Sequence, residues 1–215
     1  MKKIGLLLVC MTLGAMAFPP LTALAVSNQL ILTKEKPLRV DQQAKSVTVL
    51  AEVKGKYFHQ ATRHGVVFAG GANGDKSVFR GYATPQEFYD ALVKLGYKAG
   101  NNMTRENAAQ TFVQGDALEV TVVWDGAKRA YGLDEVISDS NKKPFQIRFG
   151  GNLQNALQFK TGCLLCLDSC PVGITSNASY TMGAVEKRQE VVFKGNSQVL
   201  PPDGTLVVIK VQARK

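Results

Sequence analysis

What the chain lacks narrows its chemistry first. Its 215 residues include one Trp and two His, and aromatic residues make up 8%. No Gly-x-Ser-x-Gly, no His-Glu-x-x-His and no catalytic triad is legible, so hydrolase and zinc-protease chemistry has no anchor. The run Gly70-Gly71-Ala72-Asn73-Gly74 is not followed by a helix signal and fails as a phosphate loop. No internal repeat is present. Lys and Arg never gather into a basic arm interleaved with aromatics, so the formal charge of +9 leaves no nucleic-acid footprint. With 20% charged and 45% hydrophobic residues, composition also leaves no room for disorder, collagen-like repeats or coiled coil.

The first 25 residues stand apart. Lys2 and Lys3 precede an apolar stretch from Ile4 to Ala17, followed by Pro19-Pro20 and the small-x-small tripeptide Ala23-Leu24-Ala25. That order is a secretory signal peptide, residues 1–25, with Ala15-Met16-Ala17 as a second cleavage site. The uncharged run reaches Val26, long enough for an uncleaved anchor, but paired prolines disrupt a spanning helix near its end. The expectation is a periplasmic or secreted domain, residues 26–215, with no membrane span after cleavage. Cleavage also changes the counts. The 26 Lys plus Arg lose Lys2 and Lys3 while the 17 Asp plus Glu all remain, leaving +7, and the loss of Cys10 turns four cysteines into three.

Along the remaining chain, apolar alternation predicts strands at Pro37–Asp41, Val47–Val53, Gly65–Ala69, Ala117–Trp124, Phe145–Phe149, Glu190–Phe193 and Thr205–Val211. Val78–Tyr82 is read as the return strand of a hairpin, and Asp125-Gly126 as a hairpin turn toward Lys128–Tyr131. One helix carries a full start signal. Thr84-Pro85-Gln86-Glu87 is a capping box with proline at the first helical position, Phe88, Ala91, Leu92 and Leu95 share one face, and Gly96 stops it. Thr104 is read as capping a shorter helical turn through Ala109. The expected fold is α+β, mainly antiparallel β with one well-capped helix, in a single domain. Residues 150–183, rich in Gly, Asn, Ser and Thr, are expected to form a long cysteine-bearing loop.

That segment holds Cys163-Leu164-Leu165-Cys166-Leu167-Asp168-Ser169-Cys170-Pro171, a C-x2-C-x3-C-P spacing. It matches the last three cysteines and the proline of the bacterial ferredoxin run, with Lys160 where the first cysteine would stand. Closely spaced thiolates on a turning backbone can converge on one metal centre. An iron–sulfur cluster of the [4Fe–4S] type would need a fourth ligand or one open iron, and the leader lacks the Arg pair used to export folded cluster proteins. Three alternatives use the same atoms. A soft ion, Cu or Zn, suits a trigonal thiolate shell. Cys163 and Cys166 could cycle as a redox pair resolved by Cys170. One disulfide could pin the loop, leaving an unpaired thiol and a structural or interaction domain with no cofactor. His59 and His64 flank Gln60–Arg63 and could add ligands. The partner expected for a redox module is another envelope redox protein.

Gly55-Lys56-Tyr57-Phe58-His59-Gln60, the helix end Ala91–Gly100 and the strand Gly115–Trp124 together resemble the YdjY-domain family of exported bacterial proteins, over most of the mature chain. Gln60 stands where the family pattern tends to have Glu, which counts against acid/base work at that position. Members with this cysteine spacing are sometimes labelled ferredoxin-like. The resemblance implies a fold shared with the family and no established reaction.

Overall fold

The computed structural model describes residues 32–214, and the signal-peptide expectation for residues 1–25 lies outside them. Twelve strands run in chain order: β1 (Leu38–Asp41), β2 (Ser46–Val53), β3 (His64–Phe68), β4 (Ser77–Gly81), β5 (Ala117–Trp124), β6 (Tyr131–Gly132), β7 (Ile137–Asp139), β8 (Ile147–Phe149), β9 (Cys163–Cys166), β10 (Thr175–Asn177), β11 (Phe193–Gly195) and β12 (Leu206–Ala213). Three short helices accompany them: α1 (Pro85–Lys94), α2 (Leu133–Val136) and α3 (Leu153–Phe159).

Period-two alternation fixes the long strands. Val47, Val49, Ala51 and Val53 of β2 join Val120 and Val122 of β5 and Val207, Ile209 and Val211 of β12 in the main core. β12 pairs antiparallel with β2 from Leu206↔Glu52 to Gln212↔Ser46, and with β5 from Val207↔Trp124 to Ala213↔Leu118. The order then continues β5-β8-β10-β9-β3-β4, and β4 returns to β2 through Ala51↔Gly81 and Val53↔Phe79. Eight strands therefore close into a barrel, which leaves no free edge around the ring. The interior is filled. Val49, Val66, Phe88, Leu164, Leu165 and Ile209 are among the side chains around a residual void of about 10 Å³, too small for a ligand.

The α+β expectation is corrected by this closure. Helix α1 is present with its capping box intact: Glu87 N–H donates to Thr84 Oγ1 at 3.2 Å, and Thr84 N–H donates to Glu87 Oε2 at 2.8 Å. It lies against β1, β2 and β9 of a mainly-β barrel and builds no layer of its own. The hairpin expected at Val78–Tyr82 is also corrected. β4 runs parallel to β3 (His64↔Ser77, Phe68↔Gly81), because residues 69–76 carry the chain back along the strand before it pairs. The segment 150–183, read as a loop, contributes α3 and two barrel strands. β10 pairs antiparallel with β8 and parallel with β9. Thr104 caps a hydrogen-bonded turn with Asn107 and starts no helix.

Candidate metal centre

The site grows from an irregularity between β3 and β9. The pairs His64↔Cys166, Val66↔Leu165 and Val67↔Cys163 carry register shifts on both sides of Val66. Bulges re-aim side chains. Here Val66, Leu164 and Leu165 enter the main core, whereas Val67, Cys163 and Cys166 join Cys170 in a separate buried cluster. All three cysteines are 0% exposed and carry free thiols.

His64, read from sequence as a candidate ligand, is brought to the same place. Its Nδ1 lies 3.7 Å from Cys163 Sγ, and the donor atoms of His64, Cys163 and Cys166 all fall within 4.8 Å of one another. Cys170 reaches Cys166 and stands outside that tight group. His59, the other candidate, is exposed at the end of the 3-10 turn Gly55–Phe58 and is not among the clustered donors. The thiols are unequal. Contact with Cys166, helped by His64 and Thr161, outweighs burial and holds the Cys163 thiol well below its ordinary range. Cys166 is pushed well above it by the neighbouring Cys163 and Cys170 sulfurs and by burial.

A buried ion pair, unforeseen from the sequence, locks the ligand strand to the cysteine segment. Arg63 Nε and Nη2 donate to Asp168 Oδ1 at 3.1 and 2.6 Å, with side chains 9% and 0% exposed. Desolvation pulls the Arg63 guanidinium down, but Asp168, and then Cys170 and Cys166, raise it on balance and keep it charged. Burial pushes the Asp168 carboxyl up against the pull of Arg63. The sequence held a signal for the pair. Arg63 precedes the ligand candidate His64, and Asp168 lies between Cys166 and Cys170.

Amide side chains hold the covering segment. Asn152 Nδ2 donates to the carbonyls of Cys170 and Gly173, Asn155 Nδ2 to Pro171, and Asn177 Nδ2 to Leu167. Asn152 adopts a left-handed conformation at φ 49°, which Asn tolerates better than most residues. Gly173 has no room for a side chain: a Cβ there would lie 2.7 Å from Ser176 Oγ and 3.0 Å from Cys166 Sγ.

One imidazole and two thiols at this range are a donor set that suits a soft ion. Total burial disfavours the alternative of disulfide exchange with a partner, which needs a sulfur open to attack. Among the described residues, no helix is long and apolar enough to cross a membrane.

The comparisons with known proteins agree on one assignment. The family model described as YdjY domain matches residues 38–212. A protein of Escherichia coli (strain K12), named "Uncharacterized protein YdjY", is 56% identical over 178 residues, covering 83% of this chain and 79% of its own. No solved structure matches. A matched span that runs from β1 to β12, and so takes in the whole barrel and the His64–cysteine cluster, makes this chain a member of the YdjY domain family.

Proposed function

We propose that this protein is an exported binding module for a single soft metal ion, Zn(II) or Cu(I), held by His64, Cys163 and Cys166, with Cys170 as an adjoining fourth donor. The observation that carries the reading is the buried group of three donor atoms within 4.8 Å of one another. Thiolate sulfurs about 2.3 Å from Zn(II) stand about 3.8 Å apart in a tetrahedron. The 3.7 Å between His64 Nδ1 and Cys163 Sγ is already of that order. An iron–sulfur cluster is a larger body and spreads its thiolates farther apart, so the compact group favours one ion over a [4Fe–4S] centre. Export is supported by the leader-like residues 1–25, and a copper-loaded form would pair with an envelope redox partner. With its donors buried between β9 and the covering segment, the centre is closed, as in structural and electron-transfer sites, and offers no open position for substrate.

Metal analysis with thiol counting on the full chain tests this. About one equivalent of zinc or copper is expected. Cys163→Ser and Cys166→Ser should each weaken binding by at least about 100-fold, since each removes a ligand rather than an outer-shell partner. Metal-free protein that takes up neither ion would sink the proposal, and a brown protein carrying several irons would replace it with the cluster.

A further inference from the structure

Three buried side-chain polar atoms among the described residues lack a hydrogen-bond partner: Arg80 Nε, Thr161 Oγ1 and Ser176 Oγ. Two of these are hydroxyls beside cysteine sulfurs. Thr161 stands two residues ahead of Cys163, with its Oγ1 near that sulfur but short of the geometry of a full hydrogen bond. Ser176 is paired with Cys166 in the parallel β9–β10 ladder, so the two side chains leave the same face of the sheet. Ser176 Oγ and Cys166 Sγ also flank the same point above Gly173.

Elsewhere the barrel treats its hydroxyls differently. Thr62, Ser77, Ser169 and Thr175 all donate to backbone carbonyls, at 2.5, 2.7, 3.3 and 2.8 Å. Buried hydroxyls are satisfied as a rule, and the two exceptions stand beside cysteines. A neutral thiol accepts a hydrogen bond weakly. A thiolate carries the charge that makes such a bond strong.

We infer that Thr161 and Ser176 are outer-shell donors to the metal-bound thiolates of Cys163 and Cys166, positioning those sulfurs and stabilising their charge. The inference rests on the soft-metal reading above and adds two residues that no ligand spacing reveals. It requires opposite signs in the two states of the site. Without the ion, each hydroxyl is a buried orphan whose removal relieves the protein; with the ion, each removal strips a hydrogen bond from a ligand.

The test uses the full chain with Thr161→Val, Ser176→Ala and the conservative Thr161→Ser, titrated with Zn(II) and Co(II) in competition with a chelator. Each hydroxyl deletion should weaken binding about 10-fold and shift the sulfur-to-cobalt charge-transfer band, while the ion-free variant melts at or above the wild-type temperature. Thr161→Ser should restore affinity. Wild-type affinity in both deletion variants, or ion-free variants that lose as much stability as the loaded ones, would overturn this inference alone. A wild-type chain that binds neither ion overturns the metal reading beneath it.

Discussion

β9 has two faces, and they are built on different chemistry. Leu164 and Leu165 point into the barrel, where valines, leucines and Phe88 fill the space and apolar burial drives the packing. Cys163 and Cys166 point the other way, into a cluster that buries His64, Arg63, Asp168 and two orphan hydroxyls within a few residues of three thiols. The first region has one polar side chain at its residual void, Thr175, whose hydroxyl donates to the Leu164 carbonyl at 2.8 Å. The second holds the buried ion pair and two unpaired hydroxyls, and buried polarity lowers stability unless partners answer it. A barrel needing only to stand could have carried leucines on both faces, and packing alone does not account for the polar one.

Four measurements break or sharpen this contrast, in descending size. Asp168→Ala leaves Arg63 charged and buried without its partner, and should cost about 3–5 kcal/mol in denaturant unfolding; a loss under about 1 kcal/mol would mean the polar cluster is loosely coupled to the barrel. Gly173→Ala pushes a methyl against Ser176 Oγ and Cys166 Sγ. It should cost about 1–3 kcal/mol and weaken Zn(II) uptake as well. Ile209→Val trims a methyl from the interior, on β12. The expected cost is about 1 kcal/mol with metal uptake untouched, and any change in uptake would show that the two faces communicate. The smallest effect lies outside both regions. The Glu135 carboxyl, bonded by Arg129 and then by the Gly132 N–H, is held down from 4.5 to about 2. Its contribution is therefore complete above pH 4.5 and is lost as pH falls from there through 2. Thermal melts across that window should fall slightly less steeply in Glu135→Gln than in wild type.

The same contrast decides what was legible in the sequence. The interior face spoke clearly: Val47 to Val53 and Ala117 to Trp124 alternate, and Thr84-Pro85-Gln86-Glu87 announced helix α1. The polar face concealed its strands. Thr175-Ser176-Asn177 looks like loop composition, yet all three residues are buried, and Thr175 and Asn177 bond backbone carbonyls in the wall. With β9 and β10 hidden, ring closure could not be seen, and an open α+β arrangement was the natural reading. The candidate site was half legible. The cysteine spacing pointed to the right segment, but only the fold brings His64 across a separation of 99 residues to Cys163. His59, equally plausible by spacing, stays on the surface because the 3-10 turn ends there.

The complete burial of the three sulfurs has a kinetic consequence. A thiol at 0% exposure reacts with an alkylating reagent only when the structure covering it opens. Cys163 and Cys166 lie on the side of β9 away from the barrel interior, beneath the segment that Asn152, Asn155 and Asn177 hold, so opening at these sulfurs is a lifting of that cover. Labelling rates at these positions therefore clock how often the cover lifts while the ring behind it stays closed, and the chain carries its own stopwatch for that motion.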